Sequence, residues 1–318
     1  MTSITLLNTL IVSQKQTINM KILITGNRGF VGSETQKELE KLEHEVLGFD
    51  LMDGKDIRDF HQLNEFAREH KPDRILHLAA IARFADADAD PKLANETNVL
   101  GTKHVAQVAA VHHIPVVYSS TGSVYMPIKE TPPITEQFRA IGNSQYGCSK
   151  YLGETYIREV TPHIILRYAH LYGKEKRMHG LIGGFLDRIA HGMAPTLYGG
   201  KQSNDFTYIK DIATANILAL TSPWDKWNQV YNIGTGEELT AEAAGKLICD
   251  ATGYKGEIEI KEQRGVDPDR FAFSVKKAEI MLGFKAKWNF KDGLADMFAD
   301  MSDVKLEANP LKLNYGKN

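Results

Sequence analysis

Short apolar runs alternate with amphipathic stretches through the first half of the chain. The apolar runs are rich in β-branched residues, have the length of strands buried on both faces, and cover residues 21–25, 45–50, 74–79, 116–120 and 163–168. Helical periodicity fills the intervals, in residues 30–42, 60–70, 93–112 and 146–160. Strands that alternate with helices in this way predict an α/β fold with a doubly wound parallel sheet.

After Gly173 the pattern becomes mixed and richer in glycine. Further elements are predicted as a helix, a short strand and a helix, near residues 181–191, at "TLYG" (196–199) and at 211–221. We therefore predict a Rossmann domain over residues 20–173, to which about 205–235 return. A smaller mixed α/β region, mainly residues 174–310, is expected to cap the strand ends and bind the substrate.

Residues 1–19 precede this pattern and contain an apolar patch. The patch is too short to span a bilayer, and the segment lacks the charged start and the small-residue cleavage site of a signal peptide. We expect a disordered extension without a role in the chemistry.

Composition narrows the class of function. The chain has 318 residues, 42% of them apolar and 25% charged, and its net charge of −2 is evenly spread. A basic face for nucleic acid or an acidic membrane is therefore not expected, and a small neutral or anionic ligand is favoured. Cys148 and Cys249 lie in no Cys-x-x-Cys or Cys/His cluster, so we expect neither a disulfide framework nor a metal site. These features are typical of a cytoplasmic protein.

A glycine loop follows the first strand directly. The string "TGNRGFVGS" places Gly26, Gly29 and Gly32 around the start of a helix, with Phe30 and Val31 in its first turn. Glycine allows a tight turn and close backbone approach to a pyrophosphate, and the helix N-terminus offers unpaired N–H groups. An ordinary turn is the alternative interpretation, because the GxxGxxG spacing is one residue wider than the commoner fingerprint.

Acidic residues after the second strand favour the nucleotide interpretation. Asp50 lies eighteen residues beyond Gly32, where a carboxylate can accept both ribose hydroxyls of NAD and repel a 2′-phosphate. We predict NAD rather than NADP, although Arg28 could hold the phosphate of NADP or simply face solvent. Asp56 is predicted to accept from the adenine amine, and Ile57 to pack on the ring.

The third and fourth strands end in residues that suit a ligand site. Leu78, Ala79 and Ala80 end the third strand in mostly small residues that leave room for the cofactor, although a well-packed strand end would explain them equally well. Ser119 and Thr121 leave the fourth strand at the same edge, where their hydroxyls can orient a substrate hydroxyl.

The string "SQYGCSK" places Tyr146 and Lys150 at i and i+4 on one helix face, after Ser144 as a plausible N-cap. A phenol with a pKa near ~10 is a base at neutral pH only if its anion is stabilised. A lysine ammonium, the positive nicotinamide and the helix N-terminus all act in that direction, so we expect a lowered pKa for Tyr146. Chance is the alternative for this spacing alone.

Nine motifs in order resemble the extended short-chain dehydrogenase/reductase family, specifically its NAD-dependent nucleotide-sugar epimerases. They are "TGNRGFVGS", Asp50, "HLAA", "NVLGT", "YSSTGSVY", "YGCSK", "LRYAHLYG", "NDFTYIKDIATA" and "YNIGTG", and they span roughly residues 20–300. The resemblance implies that Tyr146 is the acid/base, that Lys150 holds the nicotinamide ribose and lowers the tyrosine pKa, and that Thr121 is the catalytic hydroxyl residue. It also implies that Asn98 lies beside the cofactor, that Tyr168 lies near the nicotinamide, and that the chain is a homodimer paired through the helices at 93–112 and 146–160.

The chemistry that this resemblance implies is epimerisation through a keto-sugar, most simply at C4. Relatives that eliminate water carry an Asp-Glu pair after the threonine, where this chain has Gly122 and Ser123, so dehydration is disfavoured. Decarboxylation is disfavoured too, since that branch usually has a glutamate there. A net dehydrogenase or reductase of a sugar or related carbonyl is the alternative, and a non-catalytic NAD sensor is a further one.

The chain departs from the family's pattern at positions that contact substrate. Asn204 replaces an arginine that contacts the diphosphate in relatives, and His170 replaces an asparagine. Arg264 matches another arginine that the family directs at the diphosphate. The predicted substrate-binding residues are Thr121, Ser123, Tyr146, His170, Asn204 and Arg264.

Overall fold

The fold comes from a computed structural model that describes residues 19–126, 131–160, 162–175, 180–263 and 269–302. Its strands are β1 (Lys21–Thr25), β2 (Glu45–Phe49), β3 (Arg74–His77), β4 (Val116–Thr121), β5 (His163–Tyr168), β6 (His170–Tyr172), β7 (Thr196–Tyr198), β8 (Ser203–Asn204), β9 (Phe206–Tyr208), β10 (Gln229–Ile233), β11 (Leu239–Thr240) and β12 (Glu259–Lys261). Its α-helices are α1 (Phe30–Lys41), α2 (Phe60–His70), α3 (Phe84–Ala89), α4 (Pro91–Asn95), α5 (Thr102–His112), α6 (Gln145–Arg158), α7 (Gly180–Ala190), α8 (Ile209–Leu220), α9 (Ala241–Thr252), α10 (Lys276–Leu282) and α11 (Phe290–Ser302).

Within the described residues, a parallel sheet of six strands forms the centre of the molecule, in the order β10-β5-β4-β3-β1-β2. The order reverses between β1 and β3, and in open α/β sheets ligands bind at such a switch point, outside the carboxyl ends of the strands. The predicted doubly wound α/β fold is confirmed. Short two-stranded pairs, β11-β8, β12-β7 and β6-β9, lie in the C-terminal half.

Both faces of the sheet are buried, which explains the continuous apolar character of its strands. In β1, Ile22 and Ile24 contribute to one core cluster, whereas Leu23 between them contributes to the other. Helices α1 and α8 lie on the first face, and α2, α5 and α6 lie on the second. The side-chain period of two thus assigns neighbouring residues to opposite layers.

The predicted boundaries hold to within two residues at each end, with one exception. The stretch 93–112 is α4, a π-helical turn at Glu96–Gly101, and then α5. Asp90 caps α4 ahead of Pro91, so the helix begins earlier than predicted. Inserted π turns often occur at functional sites, and this one carries Asn98.

The proposed division into two domains stays a prediction. Its C-terminal segment 205–235 includes β10, which extends the central sheet beside β5. Residues 1–18 lie outside the described part of the chain, so the expected extension is not described. Among the described residues, no helix has the length and apolar character needed to cross a membrane.

Candidate active site

The glycine loop after β1 is packed so closely that side chains are excluded from two positions. Gly26 has a φ of +74°, and a Cβ there would lie 2.8 Å from the Ala79 nitrogen. A Cβ on Gly32 would lie 2.1 Å from the Gly26 carbonyl oxygen. Gly29 is the N-cap of α1 and makes no side-chain capping bond, so the amides at Phe30 and Val31 have no side-chain acceptor there. Such a cradle at a helix N-terminus suits a pyrophosphate.

The carboxylate of Asp50 is held in place at the end of β2. It is 8% exposed and accepts hydrogen bonds from the Met52 amide at 2.9 Å and the Arg28 amide at 3.0 Å. The Arg28 guanidinium pairs with Asp53. The basic side chain in the glycine loop therefore already has an acidic partner, and Asp50 is fixed beside that loop.

The residues predicted to meet the adenine have partners that the sequence did not indicate. The Arg58 guanidinium donates to both Asp56 oxygens, at 3.0 and 2.9 Å from Nε and 2.6 Å from Nη2, and it lowers the pKa of that carboxyl. Ile57 is 4% exposed, and a Cβ on Gly101 would lie 2.6 Å from its Cδ1. The Ile57 side chain is thus largely a core contact, and its adenine role stays a prediction.

A hydroxyl under the switch point positions the loop after β3. Thr25 Oγ1 accepts from the amides of Leu78 and Ala79, at 3.2 and 3.3 Å, and lies 2.7 Å from His77 Nδ1. Burial holds the pKa of His77 well below its usual value, so the ring is neutral. Leu78, Ala79 and Ala80 are half-buried next to the glycine loop, as a cofactor-facing strand end requires.

Asn98 joins this loop to the helix that carries Tyr146. Its buried amide accepts from the Ile81 N–H at 2.8 Å and donates to the Ile81 carbonyl at 3.0 Å. It also donates to Ser149 Oγ at 2.9 Å, and Ser149 in turn donates to the Tyr146 carbonyl at 2.8 Å. Asn98 therefore fixes the first turn of α6, a role that its position in the chain did not reveal.

Tyr146 lies on the first turn of α6 against the end of β4. Ser144 caps the helix by accepting from the Gly147 amide at 3.0 Å, as predicted. The Tyr146 phenol lies close enough to Thr121 for that residue to lower its pKa, and its ring meets Phe84 edge-on with centroids 5.3 Å apart. The structure thus brings together the predicted tyrosine and threonine, and adds an aromatic contact that spacing gave no reason to expect.

The pKa values of the pair differ from the expectation. Burial raises the pKa of Tyr146 to about 12, and the Thr121 hydrogen bond offsets this only in part. Burial also lowers the pKa of Lys150 to about 7, against the attraction of Glu154. In the chain by itself the tyrosine pKa is therefore raised, and the expected lowering, which includes the positive nicotinamide, stays a prediction. Desolvation outweighs the chain's own charges, and helical spacing does not reveal how deeply a side chain is buried.

The neighbouring strand adds Tyr168 to the same place. Its backbone pairs with Thr121 in the β4–β5 register, and burial, with a smaller effect of the nearby Tyr146, raises its pKa. The Tyr168 hydroxyl donates to Asn216 Oδ1 at 2.5 Å. Ser119, two residues before Thr121, is half-buried on β4. These residues share the carboxyl edge of the sheet with the glycine loop.

Two of the predicted substrate residues, His170 and Asn204, lie on short strands outside the central sheet. His170 on β6 pairs with Phe206 on β9, and its exposed ring lies edge-on to the Phe206 ring at 5.1 Å. Asn204 is half-buried on β8 opposite Leu239. Ser123 follows Thr121 and accepts from its hydroxyl at 3.2 Å. Arg264 lies outside the described residues.

Asp205, next to Asn204, is a residue that sequence reasoning missed. It is 0% exposed and accepts hydrogen bonds from the amides of Thr235 and Gly236, at 2.8 and 2.9 Å. It therefore ties the substrate-side strands to the "IGTG" loop after β10. Asp205 is part of the "NDF" string, but its role is evident only from its hydrogen bonds to the distant "IGTG" loop.

A parallel sheet with a glycine cradle at its switch point, an acid at the next strand end, and a half-buried tyrosine one helical turn before a buried lysine defines a dinucleotide-dependent enzyme of the doubly wound class. Among the described residues, no group of three or more His, Cys, Asp or Glu side chains is arranged to hold a metal ion.

The chain belongs to the NAD dependent epimerase/dehydratase family, whose model matches residues 22–234. It is 31% identical to the "Putative UDP-glucose 4-epimerase" of Methanocaldococcus jannaschii, over 86% of this chain and 95% of that protein. The solved UDP-glucose 4-epimerase of Thermotoga maritima, with UDP-glucose, superposes with a TM-score of 0.81 at 28% identity, covering 87% of this chain and 97% of that one. The UDP-glucose 4-epimerase of Thermus thermophilus, in complex with NAD, has a TM-score of 0.79 at 27% identity, covering 90% and 100%.

The family membership confirms the predicted enzyme class and NAD as the cofactor. The cradle at Gly26 and Gly32 and the fixed Asp50 carboxylate are the features of this chain that fit NAD. The roles of the individual site residues stay predictions.

Proposed function

We propose that this chain epimerises a nucleotide sugar at C4 through a transient keto intermediate, with NAD regenerated in each turnover. The observation that carries the proposal is the half-buried Tyr146 phenol, which lies beside Thr121 and one helical turn before the buried Lys150. The relatives described above, which are UDP-glucose 4-epimerases by name, support a UDP-sugar as the substrate.

Each step of the proposed epimerisation uses a side chain at the carboxyl edge of the sheet. Tyr146 removes the proton of the sugar hydroxyl and later returns one, while Thr121 orients that hydroxyl. Bound NAD supplies the hydride acceptor and donor. Because burial holds the Tyr146 pKa near 12, its ionisation requires a positive charge nearby, which we assign to the Lys150 ammonium.

The packing of Gly122 supports epimerisation over water elimination. A Cβ at this position would lie 2.5 Å from the Phe271 ring and 3.0 Å from the Phe273 ring. A carboxylate directly after Thr121 would therefore meet two aromatic rings. Without an acid at this place, the chain lacks the Asp-Glu pair that dehydration was expected to need.

The substrate is proposed to extend from Tyr146 and Ser123 toward His170 and Asn204. His170 lies beside the residue that follows Asn204, because the His170 amide donates to the Asp205 carbonyl at 3.0 Å. Arg264 stays a prediction for the diphosphate. We also propose that the protein works in the cytoplasm.

The experiment that tests the function is a panel of UDP-, GDP-, CDP- and dTDP-sugars incubated with the protein and followed by NMR. Epimerisation predicts a changed coupling constant at one ring proton and no net NADH. Stoichiometric NADH with an oxidised sugar would instead identify a dehydrogenase. If no sugar on the panel is bound or converted, the proposed function is wrong.

Cofactor choice depends on Asp50. Replacing Asp50 by Ser removes a charged acceptor for two ribose hydroxyls. Hydrogen bonds to charged groups are worth about 1.5–3 kcal/mol each, and the serine hydroxyl can still accept one bond, so the net loss is about that of one charged bond. We expect NAD to bind about 10- to 100-fold more weakly and NADP to bind no worse. Calorimetric titration with both cofactors measures this.

Asp53→Ser is the matched control for Asp50→Ser. Asp53 pairs with the Arg28 side chain, whereas Asp50 accepts the Arg28 amide beside the cradle. The control is expected to bind NAD normally. If Asp50→Ser leaves both cofactor affinities unchanged, Asp50 does not contact the ribose.

We also propose a homodimer that pairs through α5 and α6. Val111 on α5 is 61% exposed and Leu152 on α6 is 46% exposed, which leaves apolar area on neighbouring helices. Leu152→Lys is expected to convert dimers to monomers in sedimentation velocity. Ile280→Lys, on α10 and 79% exposed in the chain, is expected to leave the dimer intact. A monomeric parent protein would refute this proposal.

A further inference from the structure

The spacing that joins Tyr146 to Lys150 continues along α6. Glu154 follows Lys150 by four residues, and Arg158 follows Glu154 by four more. Glu154 is 0% exposed, which is unusual for a carboxylate, and neither the cofactor nor the substrate assignments use it.

The Glu154 side chain on α6 is hydrogen-bonded to residues on two strands of the central sheet. Its Oε1 accepts from Ser120 Oγ on β4 at 2.6 Å. The Arg167 guanidinium on β5 donates to both of its oxygens, at 2.8 Å from Nε and 2.6 Å from Nη2. Ser120 immediately precedes Thr121, and Arg167 immediately precedes Tyr168. One carboxylate therefore links the helix of Tyr146 to the strand positions next to both other site residues.

Arg167 has partners on its far side as well. Its Nη1 donates to the Tyr125 hydroxyl at 2.7 Å, and that hydroxyl donates to Asn232 Oδ1 on β10 at 2.8 Å. A buried ion pair is often replaceable by apolar residues without loss of stability, whereas removal of one partner is strongly destabilising. Stability alone therefore does not account for a charge at position 154.

The surroundings of Lys150 provide a reason for the negative charge of Glu154. Lys150 is 1% exposed, and its Nζ lies 4.3 Å from the centroid of the Tyr118 ring, which it faces. His77 on β3 and Tyr118 on β4 are the titratable groups that approach from the sheet; burial lowers the pKa of the first and raises that of the second, so both are neutral. On its own helix, Tyr146 is also kept neutral by burial. Glu154 lies one helical turn after Lys150 on the same face of α6, and its carboxylate also pairs with Arg167 at 2.6 Å and Arg158 at 3.3 Å. Burial lowers the pKa of Lys150, and the negative charge of Glu154 acts against this.

We propose that Glu154 is a positioning residue, which fixes α6 against β4 and β5 and supplies the negative charge that keeps the buried Lys150 as an ammonium. The mechanistic value of this charge rests on the proposed function, because Lys150 is the cation assigned to Tyr146. The charge itself can be tested without any sugar substrate.

The test is an NMR titration of Lys150 in protein labelled with ¹³C at lysine Cε, with Lys150→Met used to assign its signal. Glu154→Gln keeps the shape and the acceptor for Ser120 but removes the charge. Loss of a nearby opposite charge is expected to lower the Lys150 titration midpoint by about one pH unit. The ammonium fraction at pH 7 then falls from about one half to about one tenth, so kcat at that pH is expected to fall about fivefold.

Further variants separate the charge from the scaffold. Glu154→Gln combined with Arg167→Gln removes both buried charges, so folding is expected to recover. Because loss of the Arg167 cation by itself raises the Lys150 midpoint, the double variant is compared with Arg167→Gln, and its midpoint is expected to be about one pH unit lower. Arg158→Gln, which removes the outer partner of Glu154 at 3.3 Å, is the matched control and should leave the midpoint at or above that of the parent.

A midpoint that is unchanged between the parent and Glu154→Gln, or between Arg167→Gln and the double variant, would overturn the proposal and leave Glu154 a purely structural residue. If the single variant does not fold, the double variant decides by the same criterion. A shifted midpoint without any sugar turnover would support Glu154 while refuting the proposed function.

Discussion

Replacing Tyr146 by Phe is expected to lower kcat about 10²- to 10⁴-fold, the usual contribution of a general acid–base group. The ring and its edge-on contact with Phe84 remain, whereas the hydroxyl beside Thr121 is lost. NAD affinity should change little, because the cradle at Gly26–Gly32 is on another element. Steady-state kinetics and cofactor titration of the same preparation measure both quantities.

Tyr156→Phe is the matched control for this variant. Tyr156 is on the same helix, ten residues further along, where its ring faces Lys103 rather than the sheet edge. Loss of the Tyr156 hydroxyl in this variant should leave kcat within about twofold of the parent value. Full activity in Tyr146→Phe would remove the catalytic assignment altogether.

Replacing Gly32 by Ala is expected to weaken NAD binding about 100-fold or more, equivalent to about 3 kcal/mol. The new Cβ would lie 2.1 Å from the Gly26 carbonyl oxygen and 2.7 Å from the Asn27 Cα. Both contacts are with backbone, so the loop must move, and the N–H groups that would bind the pyrophosphate move with it. Calorimetry with NAD measures the change.

Gly184→Ala offers a control within another helix. A Cβ at Gly184 on α7 has no other atom within 4 Å, and Ala favours a helix over Gly by about 1 kcal/mol. This variant should bind NAD normally and unfold at a slightly higher temperature. Normal NAD affinity in Gly32→Ala would show that the cradle does not hold the cofactor.

The fold was predictable from sequence because its signal is local. Runs such as 21–25 are apolar throughout because both faces of the sheet are covered, so length and flanking turns identify them. The helix at 93–112 was predicted as one element because its apolar period continues through the π turn. The π turn contains the buried amide of Asn98, which bonds to Ile81 and Ser149. These partners lie in other segments of the chain, so the local sequence pattern does not reveal the turn.

The candidate site was predictable only where spacing or a strand end carries the chemistry. Tyr146 and Lys150 are one helical turn apart, and Asp50 ends a strand, so their positions follow from the secondary structure. Glu154 and Asp205 were missed because their partners lie on other elements, 13 residues away for Arg167 and 30 for Thr235. The raised pKa of Tyr146 in the chain by itself was missed for a related reason, since burial is a property of the whole fold.

In the proposed epimerisation, hydride leaves one sugar carbon and returns to the same carbon without exchange with water. The most direct measurement uses the nucleotide sugar that the panel identifies, carrying deuterium at C4, with product analysis by NMR and mass spectrometry. We expect an epimer at C4 that retains its deuterium, with no net formation of NADH. Loss of the deuterium to solvent, or one NADH formed for each oxidised sugar, would contradict it.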